Sequence, residues 1–406
     1  MKRSLPPVWL LGFCNLPVGI GGAVALVTTP QILAAQHTPE PLIANVTATM
    51  LVSVFTAFLF APVLDWRLTR KTYAVILAVL SGVLAFAALL DTHNLVLLSV
   101  LLLAMGLANN LNNAAVGGWL SGLTTEEEKD RLGAWMTIAN VASVGVTSAV
   151  AIFLVRNLPP VVGPAAIGLL LLIPVPLYLV IPATPPDARL GQESIERFMR
   201  DVMSLFGQVR VRWLLLFLVL PAANFALSNT LPSLGADYGA SEAFVGVVCG
   251  VGVAVAGVLG GLVIPPLALR WPAERLFPIV GVIGAAFSLS LIIAPKTPLW
   301  FAIADFGQNG LWTASYSLIA VIALRANGEN NPLAATQFAL LSAAAGVPLT
   351  YMQIIDGHAY GVGGLAASYA ADAGLSLVAC AALALILAGG KIRVDPVAPV
   401  LGPQQA

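Results

Sequence analysis

Charge is what this sequence lacks. Only 9% of its 406 residues are Asp, Glu, Lys or Arg, against about a quarter in soluble domains. Hydrophobic residues make up 59%, and mean hydropathy is +0.92. A chain this poor in charge cannot clothe a water-soluble globule, so most of its surface must meet lipid. Its formal net charge is zero, which gives no electrostatic reason to bind nucleic acid. Cysteine is scarce as well: Cys14, Cys249 and Cys380 all lie in apolar runs and read as small buried residues rather than a disulfide framework. His37, His93 and His358 all fall in short polar connections. That leaves no intramembrane imidazole for haem, pigment or metal, and no cofactor is expected.

Long apolar runs, by contrast, are plentiful. Twelve candidate spans are expected, near 8–33, 42–64, 72–90, 95–120, 132–155, 161–182, 212–233, 241–269, 276–294, 298–324, 333–355 and 363–389. The first follows Lys2 and Arg3, as a signal peptide would, but its apolar run is too long for one. With the amino terminus inside, seventeen of the nineteen basic residues fall on the inner side, leaving only Arg156 and Lys296 outside. By the positive-inside rule this places both termini in the cytoplasm. The expected organisation is a bundle of six spans over 1–182, a linker over 183–211, a second bundle over 212–390 and a short tail over 391–406. Within the linker, Ile195, Phe198, Met199, Val202, Leu205 and Phe206 recur at helical spacing between Glu193, Glu196, Arg197, Arg200 and Asp201. That pattern predicts an amphipathic helix lying along the membrane interface.

Polar residues inside the spans are few and patterned. In the tenth span, Asp305, Gln308, Asn309, Trp312 and Tyr316 sit at offsets of three, four, seven and eleven, one stripe on a helix. A carboxylate in a membrane is costly unless it faces a wet cavity or a partner, which makes Asp305 a functional candidate. In the fourth span Gly106 precedes Asn109, Asn110, Asn112 and Asn113, a counterpart in the same position of the other half. The loops after the second span of each half also correspond: Pro62 to Lys71, with Asp65, Arg67 and Arg70, against Pro266 to Arg275. Such degenerate copies are what a duplicated six-span unit leaves behind.

Six plus six spans, an interfacial linker and the Pro62-Val-Leu-Asp65…Arg70-Lys71 loop resemble the major facilitator superfamily. Ala61 and Trp66 stand where the superfamily's loop usually has Gly and Arg. The stretch Ala335-Thr336-Gln337-Phe338-Ala339-Leu340-Leu341-Ser342-Ala343 is similar to the opening of the eleventh span in AmpG-type muropeptide permeases and their acetyl-CoA-transporter and siderophore-importer relatives. The resemblance implies an all-α integral membrane fold of twelve transmembrane helices in two pseudo-symmetric six-helix bundles. It also implies that spans 1, 4, 7 and 10 line a central cavity. Polarity agrees with this: Asn15, Thr28, Thr29 and Gln31 lie in span 1, Asn224, Ser228 and Asn229 in span 7, and spans 3, 6 and 9 are nearly bare.

The candidates follow. Asp305 is the expected proton-coupling acid, since low-dielectric surroundings favour a carboxyl group that takes up and releases a proton. Asp372, the other carboxylate well inside a span, is a second coupling candidate; its bland reading is structural. Asn15, Asn109, Asn112, Asn113, Asn224, Asn229, Gln308 and Asn309 are candidate solute ligands, against the alternative of interhelical hydrogen bonds. Trp312 and Tyr316 are candidates to stack on a solute or merely to pack. Asp65, Arg67, Arg70 and Lys71 are expected to form a gating latch, with the Glu126–Arg131 segment as a charge partner, or to be plain topogenic charge. Gly246, Gly250, Gly257 and Gly261 suggest close helix approach in the eighth span, and Pro17, Gly19, Gly21 and Gly22 a loosened first span. Lys and Arg are missing from span interiors, which argues against a strongly anionic solute such as a coenzyme A ester. The expected protein is therefore a monomeric secondary transporter of a bacterial inner membrane, not an enzyme. Its partners are a medium-sized polar solute, protons and the bilayer. A siderophore importer and a non-transporting assembly factor remain as alternatives.

Overall fold

The computed structural model describes residues 5–184, 195–223, 225–268, 270–328 and 331–390, and every regular element among them is helical. Lipid offers a backbone amide no water, so each segment must satisfy its own amides, and helices do this. The helices are α1 Val8–Ala35, α2 Glu40–Phe60, α3 Arg70–Leu90, α4 Leu95–Ser121, α5 Glu126–Asn157 and α6 Val162–Val180. They continue as α7 Ile195–Gly207, α8 Val209–Val219, α9 Ala243–Ala268, α10 Ala273–Ile293, α11 Pro298–Asn327 and α12 Ala334–Ala388. Local chemistry sets several starts. Thr69 accepts from the Thr72 amide and Asn94 from the Leu97 amide, while Thr125 and Glu128 accept reciprocally from each other's amides.

Nine helices among the described residues are long and apolar enough to cross a membrane, or ten if the α7–α8 pair, bent by 70°, is one span. The 30-residue α11 is not among them, because its polar stripe lowers its hydropathy. It is nevertheless about 45 Å long at 1.5 Å per residue.

The 55-residue α12 is not one rod. Gly363 and Gly364 leave helical geometry, and Gly364 has φ 64° and ψ −157°, a region open essentially to glycine alone. The hydrogen bonds show how sharply the chain turns there. Tyr351 Oη donates to the Val219 carbonyl at 2.8 Å, and Ser376 Oγ donates to the Ala222 carbonyl at 2.6 Å. The acceptors are three residues apart, within about 11 Å, whereas 25 residues of straight helix would separate the donors by about 37 Å. The two arms must therefore fold back beside each other. The first arm also runs past the boundary expected at 355, so Asp356 and His358 are helical rather than part of a polar connection.

A second correction concerns the span expected over 212–233. It is interrupted at Pro221, whose ring disfavours helical geometry in the preceding residue. Accordingly α8 stops at Val219 and Leu220 is extended, with ψ 140°. Helix resumes only as the single turn Leu227–Thr230 and the 3₁₀ segment Leu231–Tyr238. The carbonyls freed by the break are caught by side chains. Besides Tyr351 and Ser376, Cys380 Sγ donates to Ala222 and Ser315 Oγ to Ala223, at 3.2 and 2.7 Å. Asn224, a candidate ligand in this break, lies outside the described residues.

By contacts the chain forms two compact units. The first gathers 1–123, 135–207 and 326–346; the second gathers 124–134, 208–325 and 347–406. The first unit's core packs Ile20, Val24, Met50, Leu98, Leu102 and Ile167. In the same unit Val202 and Leu205 of α7 bury against Leu333 and Trp66, while Met199 and Phe206 stay exposed. Glu193 and the side chains of Ile195, Arg197 and Phe198 lie outside the described residues. The second unit's core includes Leu231, Tyr238, Leu291, Phe301 and Tyr369. Close approach in α9 occurs at Gly260, where an added Cβ would strike the Gly310 backbone, and not at Gly246 or Gly250, which face open space.

Candidate functional site

The second unit holds the acids. Asp305, about two turns into α11, is fully buried. Cys249 Sγ donates to its Oδ1 at 3.7 Å, and its Oδ2 has no hydrogen-bond partner among the described residues. Cys249 lies in Val248–Gly252, a π-helical stretch of α9. Such a bulge adds a residue to the turn and re-aims the side chains it carries. Gln308, also fully buried, donates from Nε2 to Ser288 Oγ at 2.8 Å, and Ser288 Oγ donates to Asp372 Oδ2 at 3.4 Å. One hydroxyl of α10 thus links the stripe on α11 to the acid on the second arm of α12. Asn309 turns back on its own helix, donating to the Asp305 carbonyl at 2.8 Å. Trp312 and Tyr316 are half-buried, with ring centroids 5.5 Å apart. Asn229 is exposed. Beyond the spans, Lys296 donates to the Leu291 carbonyl and lies over the Tyr238 ring at 5.2 Å. Burial pulls its pKa below the ordinary lysine value.

The first unit holds the amides. Asn109 Nδ2 donates to the Pro17 carbonyl at 2.7 Å, and its Oδ1 is buried without a partner among the described residues. Gly21 makes this approach possible, since a Cβ there would collide with the Asn109 amide. Asn15 Nδ2 donates to the Met136 carbonyl at 3.1 Å, and its Oδ1 is likewise unpartnered among them. Asn112 is committed on both sides, donating to the Ala74 carbonyl at 2.7 Å and accepting from Tyr178 Oη at 3.3 Å. It ties α4 to α3 and α6, the interhelical role weighed above. Asn113 is half-buried.

The charged loop after α2 bonds within the first unit, and none of its printed bonds goes to the Glu126–Arg131 segment. Asp65 is 3% exposed and accepts from Arg70 Nε at 2.7 Å, the Ala335 amide at 3.2 Å, the Thr336 amide at 2.9 Å and Thr336 Oγ1 at 2.6 Å. A carboxylate on the first free amides of a helix meets both unsatisfied donors and the positive end of the dipole. Arg70 also donates to the carbonyls of Asn331 and Pro332, each at 2.9 Å. Lys71 donates to the carbonyls of Leu179 and Ile181. Arg67, at φ 64°, stacks over Trp66 at 4.4 Å. The Ala335–Ala343 stretch therefore has a structural job: Thr336 holds Asp65, Gln337 bonds Asn331 and the Ala326 carbonyl, and Phe338 fills the space beside Gly117. In the second unit, Arg325 pairs with buried Asp130 at 2.7 Å, and Lys129 with Glu126.

Three residues of the acid region do not stand out in the sequence. Cys249 is one more small residue in a glycine-rich run. Ser288 is a hydroxyl in a span nearly bare of polarity. Asp356 falls just past the expected end of a span. A signal for Asp356 does exist: it and Asp372 are placed almost evenly about the Gly363–Gly364 pair, as two acids facing across a hairpin would be.

The model of the Major Facilitator Superfamily matches residues 11–346. Among curated proteins no sequence matches. Of solved structures, the proton:xylose symporter XylE aligns with a TM-score of 0.69 at 14% identity, covering 94% of each chain. The E. coli fucose:proton symporter FucP gives 0.67 at 13% identity, covering 93% of this chain and 98% of that one. A bacterial homologue of the iron transporter ferroportin gives 0.66 at 15%, covering 94% and 99%. At these identities the likeness is one of fold, a multi-pass membrane fold. With the family model spanning more than four-fifths of its length, the chain belongs to the major facilitator superfamily.

Proposed function

We propose that the protein is a proton-coupled secondary transporter, importing a medium-sized polar solute by alternating access of twelve spans with both termini in the cytoplasm of a bacterial cell. The observation that carries this reading is Asp305: a fully buried carboxylate with one oxygen unpartnered among the described residues, on the helix that also presents Gln308 and Asn309. An acid kept so short of donors is expensive as a charge, and a proton from one side of the membrane relieves that cost. The break after Val219 supports the same reading, since transporters build solute sites where a spanning helix is interrupted. Three residues from Asp305, the buried Gln308 Oε1, unpartnered among the described residues, offers an acceptor to a neutral, hydroxyl- or amide-bearing solute such as a muropeptide or amino sugar. XylE and FucP, which share the fold, are proton symporters of xylose and fucose.

The test is uptake into proteoliposomes. A thermal-shift screen with anhydro-muropeptides, amino sugars and siderophores identifies the ligand, because binding to the folded state alone raises stability. Radiolabelled ligand is then driven by an inward proton gradient. Asp305→Asn is expected to bind the ligand yet lose gradient-driven accumulation by at least about tenfold, a change of about 1.4 kcal/mol or more. Accumulation at the wild-type level would sink the proposal.

A further inference from the structure

Asp356 has no part in the site described so far. It is 1% exposed, and neither carboxylate oxygen has a hydrogen-bond partner among the described residues. It stands seven residues before Gly363 on the first arm of α12, and Asp372 stands eight residues after Gly364 on the returning arm. At about 1.5 Å per residue both acids lie about 10–12 Å below the turn, so the hairpin brings them to the same depth. Two carboxylate charges at one depth on adjoining arms repel each other, more strongly in a low-dielectric interior than in water. Asp372 is 4% exposed; Ser288 serves its Oδ2, and its Oδ1 has no partner among the described residues. Among the described residues, three of the four oxygens are therefore buried without a donor. No Lys or Arg among them pairs with either acid. From the packed helices, Ser288 of α10 faces Asp372, and through Ser288 that acid reaches Gln308 of α11, three residues from Asp305.

Two ionised carboxylates cannot persist in such a place. Each costs several kcal/mol to strip of water, and each repels the other. One proton answers both difficulties. It removes a charge, and the new O–H donates to an oxygen of the other acid that has no other donor. We propose that Asp356 and Asp372 form a carboxyl pair holding a proton between the two arms of the α12 hairpin, a second ionisable site apart from Asp305. Uptake and release involve the proton alone: one O–H bond forms or breaks, and the pair's charge changes by one. Ser288 positions the Asp372 carboxylate and couples the pair to the helix bearing Asp305.

Nothing in this pairing depends on what the protein carries, so its experiment needs no transport. Infrared difference spectra of the purified full chain are recorded through a pH titration, in water and in deuterium oxide. A protonated-carboxyl band is expected at neutral pH, with an isotope shift. It should vanish in Asp356→Asn and in Asp372→Asn, and survive in Asp305→Asn even if that variant no longer transports. Survival of the band in both pair variants would overturn the assignment, as would loss only in Asp305→Asn. Erasure of the wild-type band by sodium at constant pH would also overturn it, in favour of a metal-cation site. Asn keeps the shape of a protonated acid, and circular dichroism checks folding. Asp356→Glu gives an independent reading: it should keep the band at a shifted frequency, and an unshifted band counts against the pair.

Discussion

Asp65 and Asp356 are both aspartates, both at most 3% exposed, and they have opposite circumstances. Asp65 receives a guanidinium, two helix amides and a hydroxyl. Asp356 receives none among the described residues. Burial alone therefore says little about what an acid is for. Where donors surround it, the charge is fixed and the carboxylate works as a joint. Where they are missing, the charge is negotiable, and a proton or a change of partner settles it.

The largest effect should come from dismantling the joint. Asp65→Ala strands Arg70 and the free amides of Ala335 and Thr336, and is expected to cost about 3–5 kcal/mol in detergent unfolding experiments. The matching change in the other region, Asp356→Asn, should be neutral or stabilising in the same assay, because the Asn amide can give Asp372 a donor without the capture of a proton. Equal losses from both variants would abolish the contrast between the regions. Thr336→Val removes a single donor to a charged group, so a loss of about 1.5–3 kcal/mol is expected, below that of Asp65→Ala. Smallest of all, Cys249→Ser replaces a weak thiol donor by a hydroxyl against Asp305. Folding should be unaffected, while the pH midpoint of uptake moves down, since a better donor favours the charged acid. An unmoved midpoint would separate Cys249 from the chemistry of Asp305.

How much of this is legible in the sequence depends on how local each feature is. The stripe from Asp305 to Tyr316 can be read because one helix carries all of it, and helical spacing is a property of sequence. The family can be read from the number and polarity of apolar runs. The interruption after Val219 is signalled by Pro221 but hidden by the apolar residues on both sides. The partner of Asp65 is hidden more deeply. Charge points to the Glu126–Arg131 segment, whereas helix amides, which carry no charge in the sequence, supply half the donors. Cys249 and Ser288 acquire meaning only from the helices packed against them, through a π-helical turn in one case and a bridge between two helices in the other. No spacing within a single segment announces such contacts.

The turn at Gly363–Gly364 also bears on how the chain is made. Its two arms leave the ribosome close together, and each brings an aspartate that would cost about 2.5–3.5 kcal/mol to place charged at the centre of a bilayer. Neither arm enters cheaply alone. As a hairpin they meet at once, and a shared proton spares the membrane one of the two charges, so the same two glycines that shape the folded protein would ease its insertion.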